Sequence, residues 1–485
     1  MRLDELLAGT GAVFAGAGDI AITGVTADSR AARPGMLFVA VPGSKVDGAQ
    51  FVPQAVAAGA AAVVVGEHAV LAPVAVPVAR AADPRHVLAR IAARLHGPQP
   101  AMMVAVTGTS GKSSVAEFTR QIFASLGRQA ASVGTIGVVK PDGAVYGSLT
   151  TPDPVTLHQT LAALGSEGIT HVAFEASSHG LDQHRLDGVT LRAAAFTNLG
   201  RDHMDYHATI EDYFAAKLRL FTELLPADAT AVVNIDDPFG RRVANAVHGT
   251  SRRLITVGGV GADLALVATR PVSFNQLVDV GFGGRTWSFG FPLLGRYQVE
   301  NFLLAAGLAI ACGEPADAIF ASAGAVQGVP GRLEIVGSLR DSMVVVDYAH
   351  KPDALAAVLA ALRPFVTGKL VCVFGCGGDR DTGKRPIMGE IASRGADVVI
   401  VTDDNPRSEQ PAAIRAEILA AAPGAIEIGD RAEAIRRAIA LAGPGDVVVI
   451  AGKGHETGQI VGDRVLPFSD QDEARAAISA EGGDA

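Results

Sequence analysis

Thr107-Gly108-Thr109-Ser110-Gly111-Lys112-Ser113-Ser114 is the stretch that decides how the chain is read. It follows an apolar run at 103–106 and opens a helix-like stretch. Gly108 and Gly111 let backbone N–H groups approach phosphate oxygens, aided by the N-terminus of the following helix. Lys112 supplies a point charge for β- and γ-phosphates, and the Ser113 hydroxyl can ligate Mg²⁺. A glycine-rich turn with no ligand is the bland alternative. Strand, helix, lysine and serine together favour nucleotide phosphate, with Thr107 to Ser113 as the contacting residues.

The same arrangement recurs outward from this loop. Apolar runs at 171–174, 343–346, 398–401 and 447–450 are followed by Glu175, Asp347, Thr402-Asp403-Asp404 and Gly452-Lys453-Gly454-His455-Glu456. Ligands of open parallel sheets bind beyond the carboxyl ends of strands, so this bias predicts sites in the middle and last thirds of an α/β protein. His96-Gly97-Pro98-Gln99-Pro100 and Gly328-Val329-Pro330-Gly331 read as junctions. They divide the α/β chain into three domains: a small N-terminal part at 1–98, a large middle with the phosphate loop at 99–330, and a C-terminal third at 331–485.

Bulk composition excludes several classes. With 41 basic and 50 acidic residues the formal charge is −9, and no dense basic block appears, so a nucleic-acid polymer is not expected as partner. Cys312, Cys372 and Cys376 cannot form a disulfide framework, and Cys372 and Cys376 read as buried small hydrophobes. Met1-Arg2-Leu3-Asp4-Glu5 lacks the basic start and apolar run of a signal peptide. The apolar stretch at 55–78 is broken by Gly66, Glu67, His68 and two prolines, so no membrane span is expected. A soluble, cytoplasmic monomer is the expectation.

Further candidates lie between the loop and the second junction. Glu175 at a strand end suits Mg²⁺, because hard cations take carboxylate oxygens, and His203 is a second candidate ligand. Asp236 and Asp237 read equally as a metal pair or as a solvated turn. The order of Asp28-Ser29-Arg30, Asp47-Gly48, the phosphate loop, Glu175 to Gly180, Asp202-His203-Met204-Asp205, Ala216-Lys217, Asn301, Gly331-Arg332-Leu333-Glu334, Asp347-Tyr348-Ala349-His350 and Gly452 to Glu456 resembles the Mur ligase family along essentially the whole chain. The resemblance implies an enzyme that uses ATP and Mg²⁺ to join an amino acid to a carboxylate through an amide bond, in peptidoglycan precursor synthesis. It implies that 1–98 is a small α/β domain for the UDP end of the substrate, 99–330 a central P-loop-type α/β ATPase domain and 331–485 a C-terminal Rossmann-like α/β domain. It further implies that Lys217 is carbamylated. A carbamate is an anion with two oxygen ligands, whereas an ammonium repels Mg²⁺. Without the family pattern Lys217 would read as an exposed helix lysine. Asn301, Arg332, Asp347 and His350 carry over as ATP-site residues. Ser29 and the loop Ser44-Lys45-Val46 carry over to the uridine end of the substrate, and Thr150, Thr151, Ser177, Gln183 and Arg185 to its muramoyl-dipeptide. Ser44-Lys45-Val46 stands where relatives have a His-Gln-Ala-like triplet.

Gly378-Asp379-Arg380 and Asp404-Asn405-Pro406-Arg407 follow two strand-like runs of the last third. Asp-Asn-Pro-Arg resembles the diaminopimelate-adding signature of the family. That resemblance implies meso-diaminopimelate and UDP-N-acetylmuramoyl-L-alanyl-D-glutamate as substrates, with Arg380, Asp404, Asn405, Pro406, Arg407, Gly452 and Glu456 around the amino acid. Arg380 and Arg407 would form forked bonds to its far carboxylate, and Asp404 and Glu456 would meet its far ammonium. A plain Arg–Asp ion-pair network is the rival for these residues. Lysine-adding, tripeptide-recycling or folylpolyglutamate-synthase-like ligation, and an ATP-binding switch without ligation, are the other functions weighed.

Overall fold

In a computed structural model the chain is described at residues 1–14, 18–43, 46–145, 149–204, 206–272 and 275–484. It divides into two compact units, Met1–Ala265 with Phe302–Phe320, and Leu266–Asn301 with Ala321–Ala485. Mixed α/β layers build both, as the alternation of apolar runs and Ala/Leu-rich stretches requires.

The first unit opens with strands β1 (Val13–Phe14), β2 (Gly24–Thr26), β3 (Met36–Val39), β4 (Ala62–Gly66) and β5 (Val78–Ala81), ordered β1-β5-β4-β3-β2. Helix Pro84–His96 is capped by Asp83, whose carboxylate accepts from Arg85 N and His86 N. It buries Val87, Leu88, Ile91 and Ala92 in the core of that sheet.

Strands β6 (Met102–Thr107), β7 (Ala130–Gly134), β8 (Gly137–Lys140), β9 (Gly143–Val145), β10 (His171–Glu175), β11 (Ala193–Phe196), β12 (Thr230–Asn234) and β13 (Arg253–Gly258) follow, ordered β13-β12-β11-β6-β10-β7-β8-β9. Pairing is parallel from β13 to β7, and β8 and β9 are antiparallel. Strands β10 and β11 are buried along their whole length, which is why β11 is apolar throughout and β10 is apolar between His171 and Glu175 rather than alternating. β6 lies between β10 and β11, and the chain leaves it to reach β7 on the far side of β10. The loop after β6 therefore opens at a topological switch point, where ligands of such sheets bind.

Strand β14 (Leu264–Val272) leads into the second unit, followed by the antiparallel hairpin β15 (Asn275–Phe282) and β16 (Arg285–Phe291). Beyond it come β17 (Glu334–Leu339), β18 (Ser342–Asp347), β19 (Leu370–Phe374), β20 (Val398–Val401), β21 (Ile426–Glu427) and β22 (Val447–Ala451), ordered β17-β18-β22-β19-β20-β21. Only β17 is antiparallel. One face packs on helices Pro352–Leu362 and Lys384–Gly395, the other on Arg431–Leu441 and Asp470–Ala480. Cys372 and Cys376 lie in the first of these cores, with Cys376 Sγ 3.7 Å from Met388 Sδ, so they are packing residues. No helix among the described residues is long and apolar enough to cross a membrane.

The fully buried pair Arg431–Asp470, with two bonds of 2.7 Å, ties the two helices of the second face together. The same guanidinium donates to Ala451 O and Asp403 O, at the ends of β22 and β20. Asp470→Ala strands a buried cation. It is expected to cost about 3–5 kcal/mol in urea unfolding of the second unit. A loss below about 1 kcal/mol, the worth of an exposed pair, would contradict this role.

Candidate active site

The phosphate loop is held open by backbone geometry and by a strap from the end of β11. Gly108 has φ 149°, and a Cβ there would lie 1.8 Å from Thr197 Oγ1. Gly111 (φ 86°) precedes the helix Lys112–Ser125. In the strap, Asn198 O accepts from Thr109 N at 2.8 Å and Asn198 Oδ1 accepts from Ser110 N at 3.0 Å. Thr197 Oγ1 donates to Ser110 O at 2.6 Å. Lys112 Nζ donates back to Gly108 O and Thr109 O, at 3.0 and 2.8 Å, as it does across such a loop.

Lys217 lies in this centre too, and is not the exposed helix lysine of the default reading. It is 1% exposed, its Nζ donates to Gly108 O at 2.7 Å, and the Tyr213 ring is 4.5 Å away. Two lysines thus share one carbonyl oxygen. Burial, reinforced by the charge of Lys112, lowers the Lys217 amine well below the ordinary lysine range, against an opposing pull from Asp202. Tyr213 OH shares a 3.2 Å hydrogen bond with Thr109 Oγ1.

Glu175, at the end of β10, is buried and already oriented. Its carboxylate accepts from Thr135 N at 2.7 Å and Thr135 Oγ1 at 3.3 Å. Gly134 is required beside it, since a Cβ there would meet Glu175 Oε1 at 2.2 Å. His203 takes a left-handed backbone (φ 54°), with Nε2 3.5 Å from Asp202 Oδ2 and its ring 4.9 Å from that of His179. Asp205 of the same motif lies outside the described residues. Asp236 and Asp237 are committed to the backbone: Asp237 caps the helix Pro238–Val247, and Asp236 accepts from Gly259 N. These bonds are the ones a turn and helix cap make.

The residues carried over to the dipeptide form one network beside Glu175. Thr150 Oγ1 meets Thr135 Oγ1 at 3.0 Å, and Thr151 Oγ1 donates to Glu175 O at 2.9 Å while accepting from Ser177 N. Arg185 donates to Thr151 O at 2.7 Å and to Gln183 Oε1, also at 2.7 Å. Ser29 lines a groove of about 760 Å³ with Gln54, Phe51, Leu88 and Asp153, and its Oγ donates to Gln54 Oε1 at 3.0 Å. Ser44 and Lys45 lie outside the described residues, and Val46 is exposed, with its carbonyl accepting from Gly43 N.

One His-carboxylate triad among the described residues has metal-ligand spacing: His86, His184 and Asp187. Arg219 occupies it, with Nη2 2.8 Å from both Asp187 oxygens. Flanked by Asp83 and Asp187, His184 is pushed up to about 9 despite its burial. This is an ion network that ties helix Pro84–His96 to the turn after helix Ser178–Asp182.

In the second unit, Asn301 Nδ2 donates to Gln298 Oε1 at 3.3 Å, and Gln298 Nε2 donates to Arg332 O at 3.1 Å. The Arg332 guanidinium lies 4.5 Å from the Tyr348 ring centroid. His350 Nδ1 is 2.8 Å from Tyr348 O, and burial lowers the imidazole to about 4. Asp347 accepts from Leu333 N and Ala349 N, yet burial outweighs these bonds and raises it to about 6.

The amino-acid candidates gather at the ends of β19, β20 and β22. Asn405 Nδ2 donates to Glu456 Oε2 at 3.0 Å. Gly452 has φ 124°, and a Cβ there would lie 3.0 Å from Asp404 Oδ2. Pro406 is buried, and its carbonyl would lie 2.0 Å from a Cβ at Gly378. Arg407 (φ 52°) donates to Gly378 O at 2.7 Å rather than to a carboxylate. Arg380 is exposed. Arg407 Nη1 also reaches Asn405 O at 3.5 Å, and, behind the Ser408 hydrogen bonds, the guanidinium charge helps to hold the Asp379 carboxyl below its usual range.

A glycine–lysine phosphate loop at the switch point of a parallel sheet, followed by a second parallel sheet with its polar loops on one edge, defines an α/β protein of the phosphate-loop class. Residues 106–309 match the Mur ligase middle domain, 331–454 the Mur ligase glutamate ligase domain and 21–96 the Mur ligase family catalytic domain. The UDP-N-acetylmuramoyl-L-alanyl-D-glutamate–2,6-diaminopimelate ligase of Brucella melitensis is 57% identical over 465 residues, covering 96% of this chain and 95% of its own. That of Agrobacterium fabrum is 56% identical, covering 95% and 94%. A solved structure of a ligase of the same name superposes with a TM-score of 0.75 at 33% identity over 99% of both chains. The MurF ligase of Thermotoga maritima, solved with ADP, shares the fold at a TM-score of 0.64 and 19% identity, over 96% of this chain and 98% of its own. The chain belongs to the Mur ligase family.

Two predictions follow from this geometry. Gly108→Ala, which drives a methyl into Thr197 Oγ1, should weaken nucleotide binding about tenfold or more by titration calorimetry; unchanged affinity would contradict the strap. Asp347 binds its proton more tightly folded than unfolded, so its contribution to stability is present in acid and lost as pH rises through about 6. The stability of Asp347→Asn relative to the parent should therefore rise across that window, as read by urea melts. A pH-independent difference would refute it.

Proposed function

We propose that the chain joins meso-2,6-diaminopimelate to the γ-carboxylate of the D-glutamate in UDP-N-acetylmuramoyl-L-alanyl-D-glutamate, splitting ATP to ADP and phosphate, in peptidoglycan precursor synthesis. The single observation that carries it is the pairing of Lys112 and Lys217 on Gly108 O beneath a strapped phosphate loop. The relatives of the same length that bear the diaminopimelate ligase name support the choice of substrates. We further assign 1–98 to the uridine end, 99–330 to ATP and 331–485 to the amino acid, acting as a cytoplasmic monomer.

A carboxylate resists amines because its charge repels them and oxide is a poor leaving group. Transfer of the ATP γ-phosphoryl to the γ-carboxylate forms a C–O–P bond, breaks the bond to ADP and gives an acyl phosphate. The amine then attacks the acyl carbon, loses a proton and expels phosphate. Lys112 and the loop N–H groups Thr107 to Ser113 would hold the β- and γ-phosphates, with Asn301, Arg332, Asp347 and His350 assigned to the same nucleotide. Ser29, Val46 and the Thr150, Thr151, Ser177, Gln183, Arg185 network would hold the UDP-dipeptide, with Ser44 and Lys45 kept in that assignment. Arg380, Asp404, Asn405, Pro406, Arg407, Gly452 and Glu456 would hold diaminopimelate.

The donor set suits Mg²⁺ only if Lys217 is changed. Ser113 and Glu175 offer hard oxygens and His203 a nitrogen, but an ammonium at Lys217 would repel the ion. Burial favours the neutral amine at Lys217, the form that attacks CO₂, making an N–C bond, releasing a proton and leaving one negative charge shared by two oxygens. Held by Ser113, Glu175, His203 and carbamylated Lys217, Mg²⁺ would supply charge neutralisation to the transferring phosphoryl group.

Lys217→Ala should abolish synthesis, with partial return on adding a short carboxylate; full activity without it would remove the carbamate. Arg407→Ala should raise the KM for diaminopimelate about tenfold or more while that for ATP holds. Equal use of lysine by the parent would overturn the substrate assignment. Phosphate release should need both the UDP-dipeptide and the amino acid. Release without them would favour a switch.

A further inference from the structure

Lys453 lies at the end of β22 and is wholly shielded from solvent (0% exposed). Its Nζ donates to Asn405 Oδ1 at 3.0 Å and to Glu456 Oε2 at 3.3 Å, and lies 3.8 Å from Asp404 Oδ1. A buried lysine is expensive unless its charge is used. Here it faces three of the groups assigned above to the amino acid and is itself assigned to nothing.

Two consequences follow from that placement. The first concerns orientation. An Asn amide can present either its oxygen or its nitrogen to a ligand, and only its partners decide which. Asn405 Oδ1 takes two donors, Lys453 Nζ and Ile460 N (2.9 Å), so Nδ2 is turned to Glu456 with a second N–H left to donate. Without Lys453 one of the two donors that fix the flip is gone.

The second concerns charge. The charged side chains assigned to the amino acid are Arg380 and Arg407 against Asp404 and Glu456, and Lys453 adds a further positive charge beside the two carboxylates. That favours an end that carries a carboxylate beside its ammonium, as the far end of diaminopimelate does. The far end of lysine is a bare ammonium, and would fit a pocket with one more negative charge.

We propose that Lys453 is a positioning and specificity-determining residue for the amino acid: it fixes the Asn405 amide as a donor and offsets the Asp404 and Glu456 carboxylates, so that a zwitterionic end is accepted over a lone ammonium. This rests on the reading of these loops as the diaminopimelate site. Lys453 acts through Asn405 and through the pocket charge, and needs no contact with the reacting atoms.

The test is steady-state kinetics on the full chain with Lys453→Met, Asn405→Ala and the double variant, offering diaminopimelate and L-lysine separately. Lys453→Met should raise the KM for diaminopimelate about tenfold or more, as loss of a charge-assisted hydrogen bond does. Its kcat at saturation should stay within about threefold, and the KM values for ATP and the UDP-dipeptide should hold. The ratio of lysine to diaminopimelate use should rise. The double variant should bind diaminopimelate hardly worse than Asn405→Ala alone, because the two residues act as one unit. An unchanged KM, an unchanged lysine ratio, or losses that simply add would overturn the proposal. If Lys453→Met does not fold, the same readouts on Lys453→Gln decide: it keeps a donor to Asn405 without the charge, so selectivity should still shift toward lysine. If the parent chain makes no product from diaminopimelate, the site assignment itself has failed, which is a separate outcome.

Discussion

One carbonyl oxygen organises the first unit. Gly108 O, at the turn out of β6, receives the ammonium of Lys112 from the loop's own helix and the amine of Lys217 from helix Ile210–Arg219. The approach is possible because Gly108 has no side chain to collide with Thr197, and because β6 sits where the chain order of the sheet divides. Placing two amines on one acceptor in a buried setting forces a difference between them. Lys112 remains half-exposed, while Lys217 is sealed and driven toward neutrality. In the proposed function the first of these holds phosphate and the second is the amine converted to an anion.

The second unit handles charge in another way. Its sheet edge carries Asp347, Asp404, Arg407, Lys453 and Glu456 on loops that leave parallel strands, and most of these groups are bonded to backbone or to each other. The buried Arg431–Asp470 pair lies behind them, with further bonds to Asp403 O and Ala451 O that fix where the β20 and β22 loops begin. Positioning is thus built from the core outward, and the polar groups facing the edge are set before any substrate arrives.

How much of this the sequence disclosed depends on whether a feature was local. The phosphate loop was legible because strand, glycines, lysine and helix lie within one short stretch, and the α/β class was legible because strands buried on both faces read as continuous apolar runs. The strap from Thr197 and Asn198 was not, since nothing in those residues announces that they cross to Ser110. Lys217 looked like a solvated helix residue by its own surroundings; only the family resemblance singled it out, and the tertiary structure supplies the burial. Asp236 and Asp237 were ambiguous because a helix cap and a metal pair use the same residue type. Nothing in the Gly452 to Glu456 stretch singles out Lys453, because its partners Asn405 and Asp404 lie some fifty residues earlier and meet it only at the shared sheet edge beyond β20 and β22.

In the proposed reaction this charge arrangement lets an inert carboxylate accept a phosphoryl group before an amine replaces it. The direct measurement follows oxygen. If the γ-carboxylate of the UDP-dipeptide is labelled with heavy oxygen and the products are weighed by mass spectrometry, one labelled atom should appear in the released phosphate for each amide formed, because the acyl C–O bond breaks after phosphorylation. Unlabelled phosphate accompanying amide formation would contradict the account.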